Sequence, residues 1–292
     1  MARDHPLAGR IWDAPRGRWI DETTLVAGLT GARFVLLGEK HDNRDHHVLE
    51  ARVVSRLARA VLPRRPAVAF EMLEVDSQAA VDAAVAASPT DPDAIARAVE
   101  WHHGGWPEFA TYRPVFQAAL DLRLRVVAAN LPAPKARALV REGLGSLPEG
   151  EAARLGLDRP LPDAVRAAMA RELNDAHCGM LPEHMLDGMV LAQRARDATM
   201  ADMLASQTGG AILVAGAGHV RKDRGIPSLL DGGAAALAFE EVAPDRTDPR
   251  DYAARWDSAL PFDYVWFTPV ATSDDPCAGM EAAANEGGFT PP

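Results

Sequence analysis

The sequence predicts an α/β protein: a mostly parallel sheet flanked by helices, with a smaller helical subdomain. Three observations predict it. Short apolar runs of strand length recur, and each ends in Gly, Pro or a polar residue. Stretches with helical spacing separate them, which is the alternation that builds a parallel sheet. Two regions, about 76–108 and 135–182, hold helical stretches interrupted by Gly and Pro, and are read as helical insertions capping the sheet edge.

In chain order, Trp12 and Trp19 flank a Pro15-Arg16-Gly17 turn, which suits a short hairpin. Asp21 offers an N-cap to a helix through Leu29. Phe34-Val35-Leu36-Leu37 then runs into Gly38-Glu39-Lys40-His41-Asp42, a buried strand followed by an acid and an imidazole. Asp42 or Asn43 can cap the next helix, whose apolar positions are Val48, Leu49, Val53, Val54, Leu57 and Val61, and which ends before Pro63 and Pro66. Ala67–Phe70 is the second strand and ends in Glu71. An Ala-rich helical stretch leads to Trp101-His102-His103-Gly104-Gly105-Trp106-Pro107, read as a loop, and then to a helix carrying Tyr112. Leu124–Ala129 is a third strand, ending in Asn130. A long helix is expected from about Pro182 to Ser206. Ala211–Ala215 is followed by Gly216-Ala217-Gly218-His219-Val220-Arg221, and Asp263–Phe267 by Thr268-Pro269. From Asp274 onward, Gly, Ala, Pro and acids read as a loosely ordered tail over 274–292.

In open α/β sheets, ligands lie beyond the carboxyl ends of the strands. Parallel strands would therefore gather Glu39, His41, Glu71, Asn130, His219 and Arg221 at one edge. A carboxylate beside an imidazole raises its pKa and fixes its tautomer, which suits a general base. Two imidazoles and two carboxylates are also a donor set for Zn²⁺ or Fe²⁺, so a divalent metal is a second expectation.

Bulk properties exclude several classes. A net charge of −10 argues against a phosphate-binding surface for nucleic acid. The two cysteines, Cys178 and Cys277, are too few for a disulfide framework or a Cys-based zinc cluster. No apolar run reaches the length of an integral membrane segment. The N-terminal residues lack the apolar core of a signal peptide, and Arg10 stands where a lipobox cysteine would follow Leu7-Ala8-Gly9. The expectation is a cytoplasmic protein as written, or a periplasmic or membrane-anchored one if the natural chain begins earlier. No G-x-S-x-G, P-loop or dinucleotide-binding glycine pattern occurs.

Taken together, Leu37-Gly38-Glu39-Lys40-His41-Asp42-Asn43, Phe70-Glu71-Met72, Asn130-Leu131-Pro132, Gln193-Arg194 with Asp197, and Ala217-Gly218-His219-Val220-Arg221 with Gly225-Ile226-Pro227 resemble the ChaN-type iron-regulated haem-binding proteins. These share a superfamily with the erythromycin esterases and the TraB/Tiki proteins. The resemblance runs over about residues 10–270. It implies a haem site between or at paired molecules, hence haem as cofactor, a homodimer, and a role in haem or iron uptake, storage or handling. The esterase-like branch implies instead a hydrolase, with Glu39, His41, Glu71 and His219 as catalytic residues.

Haem needs an axial Tyr, His, Met or Cys. Tyr112, His177, Cys178, His184, Met185 and Met189 are the candidates, with Tyr112 and His177 preferred. Arg221 and Arg224 could pair with propionates, and Asn130 joins the cofactor set. His46 and His47, in the first turn of a helix, read as a solvated face, and His102-His103 as a loop able to close on a flat ligand or simply to sit at the surface.

Overall fold

The computed structural model describes residues 2–256, 259–272 and 277. The elements are β1 (Ile11–Asp13), β2 (Arg18–Ile20), α1 (Glu22–Leu29), β3 (Phe34–Glu39), α2 (Arg44–Ala60), β4 (Ala67–Glu74), α3 (Gln78–Ala87), α4 (Pro92–Ala98), α5 (Phe109–Asp121) and β5 (Val126–Asn130). There follow α6 (Ala133–Glu142), α7 (Glu151–Arg154), α8 (Asp163–Ala176), α9 (Glu183–Ala205), β6 (Ala211–Gly216), β7 (Ala234–Glu241) and β8 (Tyr264–Thr268). The sheet order is β2-β1-β8-β7-β3-β6-β4-β5. Strands β3 to β8 all run parallel, whereas β1 is antiparallel to both β2 and β8. The α/β fold class with its mostly parallel sheet is therefore as expected.

The chain forms two compact units. The first spans 1–130 and 200–272 and holds the sheet. Alternate residues of β3 enter different cores, as a two-sided strand must. Val35 and Leu37 join Val53, Leu57, Phe70 and Phe116, while Phe34 and Leu36 join Met200, Leu204, Tyr252 and Trp256. Gly38 is required here, because a Cβ would strike the Val220 side chain of the loop after β6. Caps form where the sequence indicates them. The Asp21 side chain accepts from Thr24 N at 2.8 Å, and Asn43 accepts from Asp45 N at 2.9 Å. The amide of Asn43 also donates to Glu241 Oε1 at 2.7 Å, which ties the start of α2 to the end of β7.

The second unit covers Leu131–Thr199 and Cys277 among the described residues, packed around Leu131, Ala136, Leu139, Leu155, Leu157, Ala192 and Ala195. Arg194 donates to the carbonyls of Gly156 and Arg159 at 3.1 and 2.7 Å. Cys178 and Cys277 are joined in a disulfide, with Cα atoms 5.5 Å apart. Two cysteines do not make a framework, yet they pair. Of the stretches expected as a cap, 76–108 lies in the first unit and 135–182 in the second. The expected tail lies outside the described residues apart from Cys277. Among the described residues, no helix is long and apolar enough to cross a membrane.

Candidate functional site at the carboxyl ends of the strands

Parallel pairing carries the ends of β3, β4 and β6 to one edge. Glu39 closes β3, Glu71 lies in β4, and Gly216 closes β6 just before His219. Their side chains meet. His41 Nδ1 is 2.8 Å from Glu39 Oε1, and His41 Nε2 is 3.7 Å from Glu71 Oε2. His219 Nε2 is 3.2 Å from Glu71 Oε1, and Gly216 N–H donates to Glu71 Oε2 at 2.7 Å. Glu71 thus stands between two imidazoles and a backbone donor. Gly216 leaves room for this, since a Cβ there would lie 3.0 Å from His41 Nε2.

Burial divides the roles. Glu39, Glu71 and His219 are buried, while the His41 side chain is 32% exposed and is the part of the cluster that solvent reaches. Its ring meets Trp106 edge-on, with centroids 4.9 Å apart. Trp106, Trp101, Met72, Glu74 and His103 also line a pocket of about 230 Å³. His103 and His102 are themselves exposed.

Burial would push both carboxyl groups up, but the hydrogen bonds and charges of their partners outweigh it. Glu39 is held at about 2 by its contacts with His41 and His47. Glu71 is held well below the usual carboxylate range by His219, His41 and the Gly216 N–H. Burial would push His41 down, and the Glu71 and Glu39 charges pull it up instead. Both acids are therefore ionised at neutral pH, and each orients an imidazole.

Other expected residues lie differently. Tyr112 is fully buried on α5, and its hydroxyl donates to Glu39 Oε1 at 2.9 Å. Its ring packs 3.9 Å from that of His47. Burial and the Glu39 charge raise its phenol far above the ordinary value. It offers no surface-facing iron ligand and acts as a buried clamp. Arg221 is also buried, with Nε and Nη2 bonded to Asp223 at 3.0 and 2.7 Å, so the guanidinium already holds a carboxylate and is not presented to propionates. Asn130 is buried at the end of β5, and its Oδ1 has no partner among the described residues. Cys178 is committed to the disulfide and cannot serve as a thiolate ligand.

His46 and His47 are a correction. Neither is solvated, as both are wholly buried. His46 accepts from Lys40 N–H through Nδ1 at 3.0 Å and faces the Thr268 hydroxyl through Nε2 at 2.8 Å. Burial holds it neutral, with its pKa lowered to about 3. His47 and Glu50, three residues apart on α2, both face Glu39, and sequence reasoning missed them. The signal was present: carried backwards from Val53, Val54 and Leu57, the apolar stripe of α2 runs through Glu50 and His47.

Of the candidates in the second unit, His177 follows α8 and is half-buried, with Nδ1 2.7 Å from Leu173 O. His184 is exposed, Met185 half-buried and Met189 buried.

Comparison with known proteins bears on the fold and the family. The C. jejuni protein described as "cofacial heme binding to ChaN of Campylobacter jejuni" superposes with a TM-score of 0.66 at 20% identity, over 88% of this chain and 95% of that one. The type III effector HopBA1 gives 0.48 at 14% identity, over 84% and 92% of the two chains. An erythromycin esterase, EreC, in its open conformation gives 0.49 at 13% identity, over 91% and 99%. No curated protein matches the sequence. The family described as haem-binding uptake, Tiki superfamily, ChaN matches residues 25–230, and the chain belongs to that family.

Proposed function

We propose that the protein binds haem and serves in the uptake, storage or handling of haem iron, with His177 as axial ligand. The observation that carries the ligand assignment is the His177 hydrogen bond. Its Nδ1–H donates to Leu173 O, which leaves Nε2 as the ring nitrogen that would coordinate iron. Histidines that ligate metals commonly donate their other ring N–H to a backbone carbonyl in this way. With Tyr112 buried and Cys178 in a disulfide, His177 is the better placed of the two preferred ligands. Bound haem would supply an iron open to axial coordination. Family membership and the fold shared with a ChaN protein support the reading. Titration with haem is expected to give a Soret band distinct from that of free haem. His177→Ala should shift it and weaken binding by about 10–100-fold. A spectrum of free haem alone would overturn the reading.

A second reading rests on Glu71 and its two imidazoles. With Glu39 accepting from His41 Nδ1–H, the Nε2 of this part-exposed ring is a base able to take a proton from water. The resulting hydroxide would attack a carbonyl carbon, and the imidazolium would return its proton to the leaving group. This is hydrolysis without a serine nucleophile. Turnover of an ester and amide panel tests it, with wild type set against Glu71→Gln.

A further inference from the structure

Behind the strand-end cluster lies a second group that shares Glu39 with it and adds His47 and Glu50, two residues that neither haem binding nor hydrolysis uses. Glu39 at the end of β3, and His47 and Glu50 on α2, each offer a donor atom, and these atoms lie within 4.8 Å of one another. All three residues are buried, with His47 and Glu50 wholly so. Among the described residues, five of their polar atoms have no hydrogen-bond partner of good geometry: Glu39 Oε2, both ring nitrogens of His47 and both carboxylate oxygens of Glu50. His47 Nε2 does stand 2.7 Å from Glu39 Oε2, but off the line of a hydrogen bond. Buried polar atoms are nearly always satisfied, and leaving even one without a partner is costly. Here one such donor atom from each of the three residues lies within 4.8 Å of the others.

We propose that Glu39, His47 and Glu50 bind a divalent first-row metal cation. Two carboxylates and one imidazole suit Zn²⁺, Fe²⁺ or Mn²⁺. Burial and the Glu39 charge push the Glu50 carboxyl well above its ordinary value, and a dication between the two acids would displace that proton and hold both as carboxylates. Ligand bonds of about 2.0–2.2 Å would require small shifts of these side chains around the ion. The surroundings fit a metal site. Helical spacing sets His47 and Glu50 on one face of α2. Tyr112 holds the other oxygen of Glu39 at 2.9 Å and packs against the His47 ring, so two of the three donors are oriented by one side chain. Glu39 Oε1 also holds His41, which makes Glu39 the link between the metal and the exposed imidazole.

The experiment measures the metal content of the purified full-length protein, then titrates Co²⁺ into chelator-treated protein and follows its visible absorption. About one equivalent is expected. Glu50→Gln and His47→Gln should each weaken binding by about tenfold or more. Glu71→Gln, in the neighbouring cluster, should retain it. Paramagnetically shifted imidazole resonances of the Co²⁺-loaded wild type should report one histidine ring, a readout that needs no variant to fold. No stoichiometric Co²⁺, affinity unchanged in both α2 variants, or signals from two rings or none would each overturn the site. Haem titration of Glu50→Gln keeps this test separate from the haem reading, because His177 lies elsewhere in the chain.

Discussion

Phe116→Ala is expected to destabilise the protein by about 3–5 kcal/mol, the usual range for emptying a buried aromatic site. Phe116 is wholly buried and stacks on Phe70, with centroids 4.0 Å apart and planes 5° from parallel. Trp101 and Phe109 close round it at 5.9 and 5.2 Å. No charged group enters this contact, so the loss is one of packing and should not vary with pH. The consequence reaches the site through covalent neighbours. Phe70 immediately precedes Glu71, and Phe116 lies one helical turn beyond Tyr112, the clamp on Glu39. Denaturant titration should show a lower midpoint with an unchanged slope. A loss below about 1 kcal/mol would mean that the cavity collapses and that the aromatic stack does not hold the sheet to α5.

The parallel sheet was legible because its strands are short, apolar and bounded. The five runs read as strands correspond to β3, β4, β5, β6 and β8. β7 was not read. Ala234–Ala238 is mostly alanine, which carries little strand signal, and only its position between β3 and β8 makes it a central strand. The N-terminal hairpin was legible from its turn, but its antiparallel docking on β8 depends on the tertiary fold.

Site residues divide in the same way. Glu39, His41, Glu71 and His219 follow apolar runs, so local sequence carries them to one edge. The burial of His47 and Glu50 depends on which face of α2 meets α5, and their charged, polar neighbours Arg44, Asp45 and Arg52 mask it. Tyr112 was legible as a functional candidate, but its burial could not be read from a single aromatic in a helix. Arg221 recognises a carboxylate, as its chemistry suggests, but that carboxylate is Asp223, two residues along. The pairing of Cys178 with Cys277 across a separation of 99 residues leaves no local trace.

Glu71→Gln should be informative because charge, pH and turnover must all change together. Glutamine keeps an acceptor for Gly216 N–H but loses the charge facing His219 and His41. Hydrogen bonds to charged groups contribute about 1.5–3 kcal/mol, so a loss of about 2 kcal/mol is expected at neutral pH. The sign on the acid side follows from the depressed pKa of Glu71 in the folded state. Its contribution is fully present above the unfolded value of about 4.3 and is lost as pH falls through the lower folded value. On the alkaline side, His41 has its pKa raised by the same charge. That share is present below about 6.5 and is lost as pH rises through the folded value. The stability difference between wild type and variant should therefore be largest in mildly acid solution and shrink towards both extremes. If Glu71 only fills space, the difference will be flat with pH. Under the hydrolase reading, Glu71 is a positioning residue for both imidazoles, and turnover should fall about 10²–10⁴-fold, the scale of lost general acid–base catalysis. Haem binding through His177 should survive the substitution. A flat stability difference together with unchanged turnover would leave the strand-end cluster without a chemical role and strengthen the haem-carrier reading.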